Sequence, residues 1–253
     1  MSEATMQNQT VTAVIGGTGL TRLEGLVLDE DRVIETPYGA PSSPLHLGHY
    51  AGHPVVFLAR HGQDHRFAPH QVNYRANIWA LHHLGIRRVV AVAAVGGIHP
   101  ALGPAQLAVP DQIIDYTWGR AHTFSEEGRV LHADCTEPYD GALRAALIRA
   151  TAAAGVEALS QGVYAVTQGP RLETAAEVRK LRAEGCDMVG MTAMPEAALA
   201  RELDLAYATL AVSVNWAAGL GPEGSDIHGD IVASLERGMD KVRRVLRVVL
   251  GEA

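Results

Sequence analysis

Two short segments, Gly169-Pro170-Arg171-Leu172-Glu173-Thr174 and Val214-Asn215-Trp216-Ala217, carry a carboxylate and a carboxamide that together complement one edge of a purine. A purine with oxygen at C6 has a hydrogen on N1, which Glu173 can accept. Adenine presents a lone pair there, which a carboxylate would repel. Asn215 can give its amide N–H to O6 or N7 and turn its carbonyl toward a nearby donor. A site that leaves a buried polar group unpaired with the wrong base discriminates strongly. Taken singly, Glu173 also reads as an acid favoured at a helix N-terminus, and Asn215 as a turn residue at a strand end.

Other segments suit an anion. Gly16-Gly17-Thr18-Gly19 follows a β-branched run, so its glycines can turn successive N–H groups toward one point, with the Thr18 hydroxyl as a further donor. A dinucleotide fingerprint needs a third glycine where Arg22 stands, which demotes that reading. Arg60-His61-Gly62 ends another apolar run, where open α/β sheets bind ligands; arginine offers a planar fork to phosphate, and histidine a donor that can carry charge. The same triplet fits a phosphohistidine phosphatase with His61 as nucleophile, although that signature normally lies near the chain start beside further histidine and acidic partners. A metal site from His61, His65 and His70 is the other alternative, opposed by the spacing and by Pro69. In Ala93-Ala94-Val95-Gly96-Gly97 small side chains let backbone approach a ligand closely.

The elements that must position these groups are legible as alternation. Apolar runs at Val11 to Ile15, Pro54 to Ala59, Arg88 to Val95, Gly162 to Thr167, Asp187 to Met191 and Ala206 to Val214 read as strands of a sheet covered on both faces. Helical patterns run from Val72 to Leu84, Tyr139 to Ala154, Thr174 to Glu184, Met194 to Leu203 and Gly229 to Leu250, with Pro195 in a first helical turn. The expectation is an α/β single-domain three-layer sandwich over residues 1–253 on a mixed, largely parallel sheet, with residues 1–10 a flexible leader. Thr36 to Pro41 is rich in turn residues, and Gly219 to Gly229 reads as a mobile loop.

Composition narrows the partners. The chain has 253 residues, 47% of them hydrophobic, enough for one sizeable core. Its 28 Asp and Glu against 21 Lys and Arg give a formal charge of -7, which argues against nucleic acid. Cys135 and Cys186 stand far apart without metal-ligand spacing and read as two buried free thiols in a reducing compartment. The polar start lacks the features of a signal peptide, and no apolar run reaches the length of a membrane span, so a soluble, cytoplasmic protein is expected.

The motifs in order also resemble a family. Ile15 to Leu20, Thr36 to Gly39, Arg60 to Gly62, Val72 to Asn77, Gly169 to Arg171, Gly190 to Thr192 and Pro195-Glu196 are similar to segments of the trimeric purine nucleoside phosphorylases and methylthioadenosine phosphorylases, and within them to the bacterial methylthioinosine phosphorylases. The resemblance spans nearly the whole chain. It implies phosphate-dependent cleavage of a purine nucleoside, with inorganic phosphate as co-substrate, no metal and no organic cofactor, in a homotrimer or a dimer of trimers. It also implies that Thr18, Arg60, His61, Ala94 and Thr192 surround phosphate, Met191 packs on the ribose, and Gly96, Leu172, Glu173, Asn215 and Ala217 border the base, with Asn215 and His61 the catalytic groups. Departures sharpen the substrate: adenine-specific members carry acids where this chain has Asn215 and Ala217, and a hydroxyl residue that often contacts phosphate is replaced by Ala93. His228 stands near the expected C5′ position, where methylthio-selective relatives tend to be apolar, so 5′-methylthio and 5′-hydroxyl nucleosides both stay open.

Overall fold

The computed structural model describes residues 11–222 and 227–252, without the side chains of residues 227, 228 and 230. The expected leader at residues 1–10 and part of the expected loop before the last helix lie outside the described residues. Among the described residues eleven strands form one mixed sheet. At its centre β5 (Arg88–Gly97) pairs in parallel with β1 (Thr12–Gly16) and with β11 (Ala206–Trp216). On the far side of β1 lies β4 (His53–Ala59), followed by an antiparallel hairpin of β2 (Leu26–Arg32) and β3 (Leu45–Tyr50). On the other flank β10 (Met188–Gly190) runs antiparallel to β5 and parallel to β9 (Val163–Val166), which pairs with β7 (Gln112–Asp115). Two short strands, β6 (Leu107–Ala108) and β8 (Ala158–Leu159), extend the sheet beyond β11.

Alternating side chains of the central strands divide the core into layers. Val14, Val90, Leu210 and Val212 pack against Leu147 of α2 (Gly141–Ala153) and Val242 and Leu246 of α5 (Ile227–Val249). Ala13, Ile15, Val89 and Ala91 face the opposite way, toward Ile78 and Leu81 of α1 (Tyr74–His83) and Leu199 of α4 (Ala193–Glu202). A further cluster seats Val178 and Leu181 of α3 (Ala175–Ala183) on Ala165 and Val189. Met194 has extended backbone angles, so the regular turns of α4 begin at Pro195, in keeping with the restriction that proline places on its predecessor.

The sheet forks where the site lies. β1 pairs with β5 only as far as Ala91, whereas β10 joins β5 at Gly96 and Gly97. Between those points that edge of β5 has no strand partner, and such a divergence is where α/β sheets open a crevice. Cys186 is buried as expected; Cys135 is exposed, because it lies in the stretch 130–137, which has no helix or strand and no buried residue. No helix among the described residues is long and apolar enough to cross a membrane.

Candidate active site

A cavity of about 510 Å³ occupies the fork. Thr18, Arg60, His61, Ala94 and Thr192 border it, as do Gly96, Leu172, Glu173, Met191, Asn215 and Ala217. The side chain of His228 lies outside the described residues. Ala93 is buried in the core beside Tyr164 and Ala211 and does not border the cavity.

The glycine segment closes β1 with a tight turn in which the Leu20 N–H donates to the Gly17 carbonyl at 2.9 Å and Gly19 takes a φ of +82°. Gly17 has a different reason to be glycine: a Cβ there would lie 2.6 Å from the Val92 carbonyl oxygen and 2.8 Å from an Arg60 Nη. The turn thus lies directly on the Arg60 guanidinium.

Arg60 follows β4 and is 1% exposed. Its Nε and one Nη donate to the two carboxylate oxygens of Glu196 at 2.7 and 2.8 Å, and the other Nη donates to the Val92 carbonyl, in the stretch of β5 that pairs with β11 alone, at 2.9 Å. The fork expected to grip phosphate is therefore committed to protein, leaving one N–H on each Nη for a ligand. Tyr207 adds a hydroxyl donor to Glu196 at 2.8 Å. Burial opposes the charge on Arg60; the Glu196 carboxylate more than offsets it, and the pKa rises above its ordinary value.

His61 departs from the sequence expectation of a chargeable donor. Its Nδ1 lies 2.8 Å from the Phe67 carbonyl, which can only accept, so Nδ1 carries the proton. Burial, and then the neighbouring Arg60 charge, depress its pKa to about 4. At neutral pH the ring is uncharged and Nε2 is an acceptor. The His65 ring stacks on it at 4.5 Å, and His65 Nε2 lies 3.0 Å from the Thr18 hydroxyl. Among the described residues no group of three His, Cys, Asp or Glu side chains is placed to hold a metal ion.

On the base side, α3 is capped by Thr174 with Glu177 completing the capping box, so Glu173 precedes the cap and the helix has no use for it. The Thr167 hydroxyl donates to Glu173 Oε1 at 2.6 Å and holds the carboxylate of a residue that borders the cavity. Asn215 sits within β11, where the pairing with β5 slips between Ser213 and Asn215. That bulge lets two successive residues, Val214 and Asn215, border the cavity, which is why Asn215 is not an ordinary strand-end turn residue. Its Nδ2 donates to the Trp216 carbonyl at 2.6 Å, and the residue borders the same cavity as Glu173. Met191 packs over Gly169, where a Cβ would lie 2.4 Å from its sulfur.

Sequence reasoning gave His65 only a part in the alternative metal site and Glu196 only a place in a family-like segment, and it did not single out Arg120. Glu196 carried a signal, a carboxylate one residue into an otherwise apolar helix start; His65 and Arg120 stand in loops whose partners are distant in sequence.

Residues 11–250 match a family model described as the phosphorylase superfamily. The chain is 55% identical over 243 residues to the probable S-methyl-5′-thioinosine phosphorylase of Pseudomonas syringae pv. tomato, covering 95% of this chain and 98% of that protein. It is 41% identical over 241 residues to the 6-oxopurine nucleoside phosphorylase of Pyrococcus furiosus, covering 92% and 89%. Among solved structures, the methylthioadenosine phosphorylase from Schistosoma mansoni in complex with adenine superposes with a TM-score of 0.91 at 30% identity, covering 96% of this chain and 92% of that one.

Proposed function

The chain belongs to the phosphorylase superfamily, and on that footing we propose that it cleaves the glycosidic bond of a 6-oxopurine nucleoside with inorganic phosphate, its preferred substrate being S-methyl-5′-thioinosine. The observation that carries the base assignment is the pair Glu173 and Asn215 on one cavity, the first oriented by Thr167 and the second by a bulge. A carboxylate acceptor for N1–H and an amide donor for O6 or N7 fit hypoxanthine. The cavity lining also includes the apolar residues Phe67, Ala68, Pro69 and Ile231, which suit a methylthio group.

Phosphate occupies the part beside Thr18, Arg60, His61, Ala94 and Thr192. The Thr192 hydroxyl makes no capping bond to α4, and the residue borders the cavity. A neutral His61 accepts at Nε2 from the P–OH of hydrogen phosphate while the remaining N–H groups of Arg60 meet its charge. A phosphate oxygen then bonds C1′ as the C1′–N9 bond breaks, and its electron pair leaves with the purine. Asn215 stabilises that developing negative charge, and the phosphate anion stabilises the positive charge on the sugar. This chemistry needs no metal or organic cofactor. We also propose a cytoplasmic homotrimer: the exposed thiol of Cys135 suits a reducing compartment, and exposed Trp118 and Val130 offer apolar surface for a neighbouring subunit to cover.

The test is a panel of methylthioinosine, inosine, guanosine and methylthioadenosine, each incubated with enzyme and with or without phosphate. Base release should be fastest from methylthioinosine and stop when phosphate is withheld. Release from methylthioadenosine alone, or release indifferent to phosphate, contradicts the proposal.

A further inference from the structure

We propose that Arg120 is the positioning residue that holds the base half of the cavity in register with its sugar and phosphate half, an inference that rests on the reading of the cavity given above. The two halves are carried by chain segments that separate just where they become functional. β9 and β10 pair in parallel up to Val166 and Gly190, with a last hydrogen bond from the Thr167 N–H to the Gly190 carbonyl at 2.8 Å. Beyond that point one segment runs on to Glu173 and the other to Met191 and Thr192, and no ladder joins them.

A single guanidinium fills the gap. Arg120 is 8% exposed, and one Nη donates to the carbonyls of Met191 and Met194 at 2.8 and 2.6 Å, on either side of Thr192. The other Nη donates to the carbonyls of Thr167 and Gln168 at 3.3 and 2.9 Å, and Nε to the Gln168 side chain at 3.2 Å. Thr167 is the residue whose hydroxyl holds Glu173, so Arg120 reaches the base carboxylate through one intervening residue. The same Nη that binds Met191 lies 3.4 Å from the Tyr74 hydroxyl, which donates to the Pro69 carbonyl on the cavity rim at 2.9 Å.

All five N–H donors of Arg120 thus have protein acceptors, and among the described residues no ion pair with a carboxylate is formed. The charge is held by carbonyl dipoles drawn from two segments, an arrangement that fixes their separation. Lysine would keep the charge but brings three donors on one nitrogen and cannot bridge both pairs of carbonyls.

The role predicts a split between binding and turnover. In Arg120→Lys, hypoxanthine alone and phosphate alone, each measured by titration calorimetry, should bind within about threefold of wild type, because each half-site stays intact, while kcat for the 6-oxopurine nucleoside falls about 10²-fold through misregistration of the reacting atoms. Turnover within about threefold of wild type overturns the proposal, as does a loss of hypoxanthine or phosphate affinity as large as the loss of turnover. If Arg120→Lys does not fold, Tyr74→Phe decides, since it removes only the hydroxyl that joins Arg120 to the Pro69 carbonyl: a kcat loss of at least about threefold with both affinities kept supports the role, and a smaller change overturns it. Failure of the underlying reading is distinct, because it appears in the wild type as no binding of hypoxanthine and no base release.

Discussion

The Arg60 guanidinium lies edge-on against the Glu196 carboxylate, both groups buried, with Nε and one Nη at 2.7 and 2.8 Å from its two oxygens. The principal cation of the proposed phosphate site is therefore aimed by α4, an element that the ligand itself need not touch. Removing one member of a buried pair leaves the other charged and unpartnered. Glu196→Ala should lower the free energy of unfolding by about 3–5 kcal/mol and raise the KM for phosphate. Denaturant titration with phosphate kinetics on the folded fraction checks this; a loss below about 1 kcal/mol would mean that Arg60 keeps its place without Glu196.

Asn215 tests the leaving-group side. In Asn215→Ala the developing negative charge on the purine loses its donor, so kcat on a 6-oxopurine nucleoside should fall about 10²-fold or more. Steady-state rates of hypoxanthine release measure it, and kinetics near those of wild type remove Asn215 from the mechanism.

Base choice follows from the same two side chains. Asn215→Asp, alone or with Glu173→Ser, should shift the ratio of specificity constants from methylthioinosine toward methylthioadenosine. A protonatable carboxyl can serve N7 while its other oxygen accepts from the amino group at C6. An unchanged ratio counts against the base-edge argument.

His61 gives a pH signature. Burial, together with Arg60, holds its folded-state pKa at about 4, below the 6.5 of an ordinary imidazole, so the folded protein favours the neutral ring. The unfolded chain takes up a proton first as pH falls. The stability from this group is accordingly complete above about pH 6.5 and lost progressively toward about pH 4, by about 3 kcal/mol in all. Unfolding free energies of the wild type and of His61→Asn across that range should converge on acidification. Parallel pH profiles would show that His61 titrates normally in the folded protein.

Much of the site was readable because strand ends announce themselves. The β-branched run before Gly16 and the apolar run before Arg60 each lead into a turn, and Thr18 and Arg60, just past the strand ends, border the cavity. Glu173 and Asn215 were readable as a pair because their chemistry is complementary to one ligand edge. Other features left little trace in sequence. The strand Leu26–Arg32 carries Asp29, Glu30 and Asp31 at a sheet edge, so it lacks the alternation of a half-buried strand. The fork in β5 depends on which neighbours pair with it, and neither the bulge at Asn215 nor the commitment of the His61 Nδ1 proton to Phe67 follows from local residue types. Glu196 and Arg120 act on segments far away in sequence, and only the folded chain brings them there.

The most direct measurement is a crystal structure of the protein with hypoxanthine and phosphate. The account places N1 within hydrogen-bonding distance of a Glu173 oxygen and O6 or N7 within reach of the Asn215 amide, with phosphate beside Arg60 and His61. A hypoxanthine ring bound away from both Glu173 and Asn215 would contradict it.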